Sequence, residues 1–419
     1  MTFSGAFRLR YYSVTTIHQS YMRIIRRLKT ILPAVALAVA GTASGQSVFP
    51  EQQAVIQKNN LNLKAQGAEC AVTHADNMTG LNLADPEVAV SYMFGQPSDV
   101  PNKTNISVTQ SFDFATLSGA KRRVAEADNA LSSAQLEVER QSFALLVENA
   151  LINYVYQVRL CAELENQLAV LRKLHDYADK GLAKGTITQL DYNKIELSML
   201  KMENDLAEAR QEAGAQRLEL YALNGGEPFA LPETWPAAGL PASFDDWLKQ
   251  TERSNASLKL LQTGIVRSAR EVELRKKQGL PEFSVGYTNE LIKNSNYHGV
   301  AIGFSLPLWS NAGRVKSARS AETAARLRAE SMTEEYGSRK RSEYERARML
   351  GETSRRYAAF SQRIDRQNYA YLKKAYDAGT ITVFEYIQEQ ESFFEHAVSS
   401  LTAERDYQLA RAALYAPTF

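Results

Sequence analysis

Two hydrophobic periods alternate along this chain. Val88, Val90, Tyr92 and Phe94 fall on every second position, interleaved with Ala89, Ser91 and Met93. Ile106, Val108, Phe112 and Phe114 repeat the pattern against Ser107, Thr109, Ser111 and Asp113. A period of two is that of a strand with one apolar and one polar face. Further on the spacing lengthens. Ala127, Leu131, Ala134 and Val138 step by 4, 3, 4, and Ile195, Met199, Met202, Leu206, Ala209 and Ala213 continue the same rhythm. That is the seam of paired helices. Alternation then returns at Phe283, Val285 and Tyr287, and again at Val300, Ile302, Phe304, Leu306 and Leu308. Strands are expected over 86–94, 105–114, 281–290 and 299–308.

Proline sets the outer limits of the helices. The twelve prolines stand at 33, 50, 86, 97, 101, 228, 232, 236, 241, 281, 307 and 417. Ala120–Gly226 and Gly313–Ala416 therefore contain none. An interior Pro costs a helix ~3 kcal/mol, so these tracts suit very long helices. Inside each lies the same turn. Gly185-Thr186-Ile187-Thr188 precedes Asp191-Tyr192, and Gly379-Thr380-Ile381-Thr382 precedes Glu385-Tyr386, 194 residues later. Gly ends a helix and Thr caps the next, so each tract is expected to be a helical hairpin.

Other landmarks recur at nearly the same distance. Pro86-Glu87 reads against Pro281-Glu282, Gly119 against Gly313, and Leu220-Tyr221 against Leu414-Tyr415. The chain is thus expected to be two copies of one unit. The first spans 46–226, with a helix from about Pro50 to Thr79, two strands, and a hairpin over 118–224. An irregular linker over 227–242 holds Pro228, Pro232, Pro236 and Pro241. The second unit spans 243–419. Ser243 and Asp246 cap a helix that runs toward Gly279, followed by two strands and a hairpin over 312–416.

Composition changes the picture mainly at the N-terminus. The 419 residues are 44% hydrophobic and 23% charged, as in an ordinary folded protein. Residues 1–45 differ: Arg23, Arg26, Arg27 and Lys29 precede an apolar run from Ile31 to Ala40, and Ala43-Ser44-Gly45 offers small residues for cleavage. A secretory signal is expected there, with Met22 an alternative start and the mature chain beginning near Gln46. That segment carries six Lys or Arg and no acid, so the remainder has a net charge of -4 where the whole has +2. Nucleic acid is not an expected partner. Only Cys70 and Cys161 are present. On helices leaving the same end of the molecule they would lie roughly 40 Å apart along the axis, and are expected to be unpaired.

Strands of 9–11 residues are long enough to cross an outer membrane at a tilt, with one face large and apolar and the other small and polar. A half-buried soluble sheet shows the same period. The secretory signal and the lack of another sheet to pack against favour membrane strands. Four strands cannot close a barrel, and open edges are not tolerated in lipid. Each protomer would then contribute its strands to one shared barrel.

In order and duplication, these pieces resemble the TolC-type outer-membrane factors. The closest correspondences are Tyr376-Asp377-Ala378-Gly379-Thr380-Ile381-Thr382, Gly279-Leu280-Pro281-Glu282, and Phe304-Ser305-Leu306-Pro307-Leu308 leading to Gly313. The resemblance implies a mainly α fold with β: a homotrimer whose twelve strands form a transmembrane β-barrel, continued by an α-helical barrel through the periplasm. It implies an exit duct serving a tripartite efflux pump or a type I secretion system. Its partners would be a periplasmic adaptor, an inner-membrane transporter and outer-membrane lipid, with no cofactor. The tip residues Gly185, Thr186, Gly379 and Thr380 would dock the adaptor. Asp191 and Glu385 would line the periplasmic gate, with Tyr376 tying neighbouring helices together. A second acidic ring of that family would fall on Gln388, which is not acidic.

Physical chemistry permits the gate independently. Three Glu385 carboxylates around a threefold axis would attract cations and raise one another's pKa. An acid in a first helical turn is also simply favourable to the helix dipole. Met199 and Met202 could form a soft-metal pair, but both lie on the helical seam, where packing accounts for them. His74, His175, His298 and His396 are not spaced as paired ligands, and no catalytic constellation is present, so no enzyme is expected. The alternative is a periplasmic coiled-coil adaptor or scaffold, which would share the long hairpins but should carry soluble modules in place of the four strands.

Overall fold

The computed structural model describes residues 47–307, 309 and 311–416, except for the side chains of 362–369. The expected signal segment, Leu308 and residues 417–419 lie outside the described residues. In chain order, α1 (Pro50–Asn59) and α2 (Leu61–Asn77) precede β1 (Glu87–Met93) and β2 (Lys103–Phe112). A single turn, α3 (Phe114–Leu117), leads to α4 (Ala120–Ala183) and α5 (Gln189–Leu223). The same order then recurs: α6 (Phe244–Ser254), α7 (Ala256–Lys277), β3 (Glu282–Ile292), β4 (Ser295–Ser305), α8 (Arg314–Asp377) and α9 (Val383–Tyr415).

The two outgoing helices α4 and α8 have 64 residues each, whereas the return helices have 35 and 33. At 1.5 Å per residue these are about 96 Å and about 50 Å. A return helix can therefore cover only the turn-proximal half of its partner. The other half of α4 is covered by α2 and α7, and that of α8 by α7. Along the turn-proximal half, Leu164, Leu168 and Leu171 of α4 meet Met202, Leu206 and Ala209 of α5. This is the seam expected from the heptad spacing. Met202 is 6% exposed and Met199 packs beside it, so both methionines are core residues.

Midway along α4, Val147, Leu151, Ile152 and Val155 are fully buried against Phe49, Ile56, Leu220 and the linker residues Phe229, Leu231 and Trp235. The proline-rich linker cannot form ladder hydrogen bonds, so side chains of the helices satisfy its backbone. Tyr407 Oη donates to the Ala238 carbonyl (2.9 Å), Arg411 Nε to Gly239 (3.2 Å) and Tyr344 Oη to Pro241 (3.3 Å).

The strands form one antiparallel sheet in the order β1-β2-β3-β4, so β1 and β4 are its edges. Register puts Val90 opposite Ile106, Val108 opposite Tyr287, and Val285 opposite Ile302. Val88, Val90, Ile106, Val108, Phe112, Phe283, Val285, Tyr287, Val300, Ile302 and Phe304 therefore share one face, with Ala89, Ser107, Thr109, Ser284, Gly286 and Ala301 on the other, where Met93, Ile292 and Tyr297 near the hairpin end are the large exceptions. The apolar face is open: Val88, Val90, Val300, Ile302 and Phe304 are each at least 66% exposed.

Several boundaries differ from expectation, each for a local reason. The helices expected over about 50–79 and from 243 toward 279 are each broken in two, at Asn60 and at Asn255. Both residues take an extended ψ, and each side chain accepts the amide proton three residues on, from Leu63 and Leu258 (2.9 Å each). Phe114, expected in a strand, lies in α3 because the Asp113 carboxylate captures the Thr116 amide (2.7 Å) and starts a turn. Strands expected at 281–290 and 299–308 are Glu282–Ile292 and Ser295–Ser305. The pairing runs on to Ile292 opposite Ser295, so Lys293-Asn294 alone makes the hairpin, with Asn294 at φ 64°. Asn tolerates that left-handed conformation better than most residues.

Among the described residues, no helix is long and apolar enough to cross a membrane. Cys70 and Cys161 are both free.

Candidate functional site

The two Gly-Thr-Ile-Thr turns are built alike. Gly185 and Gly379 have φ of +70° and +68°, and each donates its N–H to the carbonyl three residues back (3.0 Å to Leu182, 2.9 Å to Tyr376). The following Thr reaches back five residues, Thr186 N to Gly181 O (2.9 Å) and Thr380 N to Ala375 O (3.0 Å). This pair of bonds is the Schellman closure of a helix C-terminus, and its left-handed residue is the reason for Gly. The Thr186 and Thr380 hydroxyls donate to the same two carbonyls (3.1 and 2.8 Å). All four expected docking residues, Gly185, Thr186, Gly379 and Thr380, are exposed.

The turns are packed side by side. Leu174 and Ala178 of α4, Ile195 of α5, and Tyr386 and Ile387 of α9 form one buried cluster, with Ile187, Leu372, Tyr376, Ile381 and Val383 against it. Tyr376 is central. Its ring lies 4.9 Å from Tyr386 and 5.7 Å from Tyr177 on the other hairpin, centroid to centroid. Burial pushes its phenol up to about 12, so it stays neutral at physiological pH. Within one chain, Tyr376 thus ties the two hairpins together.

Asp191 and Glu385 occupy equivalent capping positions but bond differently. The Thr382 side chain accepts the Glu385 amide proton (3.2 Å), while the Glu385 carboxylate accepts from the Thr382 amide (2.8 Å) and hydroxyl (3.0 Å), a complete capping box. Those bonds, the amide's foremost, hold the Glu385 carboxyl below its usual value of 4.5. Asp191 is one methylene shorter. Among the described residues its carboxylate takes only the Thr188 hydroxyl (2.7 Å), while Thr188 Oγ1 accepts the Asp191 amide proton (3.1 Å). Glu385 and Gln388 are exposed and Asp191 is half-buried. In a single chain the two acids are therefore employed as caps. Neither touches the other, and Gln388 joins neither.

One cluster near the first turn has no counterpart among the expected site residues. His175, Asp176 and Asp179 of α4 bring one ligand atom each within 4.8 Å of one another. Tyr192 and Glu196 of α5 face the same imidazole. Paired imidazoles are absent from it; its sequence signal is a His-Asp-x-x-Asp run in which His175 and Asp176 each stand about one turn from Asp179.

No protein-family model and no curated protein sequence matches the chain. Solved structures do. A membrane protein from Pseudomonas aeruginosa superposes with a TM-score of 0.72 at 13% identity, over 88% of this chain and 92% of that one. The open state of the MtrE outer membrane channel of Neisseria gonorrhoeae gives 0.71 at 13% identity, over 88% of both chains. The outer membrane protein VceC of Vibrio cholerae gives 0.70 at 14% identity, over 88% and 95%. At such identities the likeness is one of fold: the chain has the mainly helical fold, with a small antiparallel sheet, of outer-membrane channels. The fold implied by the TolC-type resemblance is met at that level.

Proposed function

We propose that the protein is an outer-membrane efflux channel. The observation that carries this reading is the sheet: four strands with an exposed apolar face, a small and polar opposite face, and unpaired edges at β1 and β4. In water that face would be a large apolar patch, whereas in lipid it is the required surface. Backbone groups at an open edge cannot be left in hydrocarbon, so β1 of one chain pairs with β4 of the next until the barrel closes. Three chains give a twelve-stranded barrel from four strands each. The helices then extend into the periplasm as a tunnel about 96 Å long, judged from the length of α4. Their turns form its far mouth.

At that mouth the Gly-Thr-Ile-Thr turns offer exposed backbone to a periplasmic adaptor, which links the duct to an inner-membrane transporter of a tripartite pump or type I secretion system. The duct itself is passive. Glu385, and less directly Asp191, contribute negative charge to the resting constriction, with Tyr376 holding adjacent hairpins together. The adaptor or scaffold alternative is disfavoured because it would leave the apolar sheet face in water.

The test is purification in detergent followed by planar-bilayer recording. A trimer that resists SDS and conducts is expected; a soluble monomer that needs no detergent refutes the reading. Replacing Glu385 with Ala should lower cation selectivity, and an unchanged permeability ratio would remove Glu385 from the gate.

A further inference from the structure

Below the first turn, His175 stands between two helices with acids on both sides. Its side chain is 19% exposed. Nε2 lies 3.1 Å from the Tyr192 hydroxyl and 3.9 Å from a Glu196 oxygen, both on α5. Nδ1 faces an Asp179 oxygen on its own helix at 3.6 Å, beyond hydrogen-bond length, with Asp176 beside it. The Tyr192 phenol is pushed up to about 12, first by the nearby Asp179 carboxylate and then by burial and the Glu196 charge. Both imidazole nitrogens thus face carboxylate oxygens, Nδ1 that of Asp179 and Nε2 that of Glu196.

Among the described residues, Asp179 and Glu196 form ion pairs only with His175, and Asp176 forms none. Three carboxylates thus surround one imidazole.

We propose that His175, Asp176 and Asp179 form a binding site for a divalent cation of the zinc class, oriented across the hairpin by Tyr192 and Glu196. Zinc bonds to nitrogen and carboxylate oxygen of ~2.0–2.1 Å put neighbouring tetrahedral ligands roughly 3.4 Å apart. The observed Nδ1 to Asp179 separation is 3.6 Å, so that edge is already close to the required length. Asp176 lies within the 4.8 Å limit of the cluster and has to close by at most roughly 1.4 Å. The contact of Nε2 with Tyr192 and Glu196 is the kind that fixes the tautomer of a metal-bound imidazole. One imidazole with two carboxylates suits zinc better than calcium or magnesium, which prefer all-oxygen shells.

The site belongs to the first hairpin only. At the positions 194 residues on, the second carries Tyr369, Ala370, Lys373 and Gln390. Binding would fasten α5 to α4 through the imidazole just below one turn of each chain and leave the other turn unfastened. The proposal rests on the hairpin geometry and stands whether or not the protein conducts.

The experiment is isothermal titration of ZnCl2 into the purified, chelator-stripped full chain, with Co2+ as an optical probe. One ion per chain is expected, with cobalt absorption bands of low-coordinate type. His175→Gln and Asp179→Asn should each weaken binding at least tenfold and abolish those bands, while Lys373→Ala in the second hairpin leaves both unchanged. Circular dichroism verifies that each variant is folded, and Asp176→Asn replaces any that is not. Absence of zinc uptake, or uptake that survives both substitutions unchanged, overturns the proposal.

Discussion

Replacing Gly379 with Ala isolates the contribution of the turn backbone. At φ +68° an L-residue pays roughly 1–2 kcal/mol. No heavy atom lies within 4 Å of where the new Cβ would sit, so the cost is conformational and has no steric part. Lower entropy of the unfolded chain returns roughly 0.4–1 kcal/mol, leaving a net cost near 1 kcal/mol for local opening. That corresponds to about fivefold faster exchange at a protected amide. The reporter is the Thr380 N–H, which donates to the Ala375 carbonyl at 3.0 Å. Hydrogen exchange of the purified protein should therefore accelerate about fivefold at Thr380 in Gly379→Ala, and by less in Gly379→Asn, because Asn tolerates the left-handed region. Equal acceleration by Ala and Asn, or none by Ala, would refute the assignment of strain to this residue.

Val90 and Ser91 are adjacent, exposed and on opposite faces of β1. Arg at Val90 should cost about 2–4 kcal/mol if placed near the bilayer midplane, but Arg at Ser91 little, as read from trimer yield and heat resistance in lipid; equal effects would mean that neither face meets lipid. Glu385 has a depressed folded pKa, so its stabilising contribution is full above 4.5 and is lost as pH falls through the lowered folded value. Glu385→Gln should therefore lower thermal stability at neutral pH and converge with wild type in strong acid; a deficit that persists there would assign the effect to something other than the carboxylate. Met202→Ala opens a cavity in the α4–α5 seam and should destabilise by about 2–5 kcal/mol in denaturant titration, whereas Leu197→Ala, 69% exposed, should change little in a single chain.

The long helices, the turns and the faces of the sheet were legible because each obeys a rule that acts over neighbouring residues. Pro is absent from 120–226, Gly185 and Gly379 sit where only a left-handed residue closes the helix, and alternation assigned the strand faces that the register bears out. The breaks at Asn60 and Asn255 were not legible. An Asn inside an amphipathic stretch looks tolerable until the buried site shows its side chain engaged: Asn60 also donates to the Leu223 carbonyl (2.8 Å), 163 residues away. The same limit applies to the acids. Asp191 and Glu385 are visible as acids after a turn, but the difference of one methylene that makes one a full capping box emerges only with coordinates. The His175 cluster was legible only in part: His175, Asp176 and Asp179 stand within five residues, but Tyr192 and Glu196 come from the far side of the turn.

The open edges of the sheet bear on how such a protein is made. A lone chain has its β1 and β4 hydrogen-bonding rows uncovered, and so does any pair, because joining two chains still leaves one free edge at each end. For the proposed channel, lipid would exclude both species, so insertion could not precede association: a chain entering the membrane would already be part of a closed ring. Assembly in that case is steeply dependent on protein concentration, and a small amount of a variant with one blocked edge would halt many normal chains. An unpaired row of amides is also a template for wrong partners, which would make the interval before closure the vulnerable one in the proposed assembly.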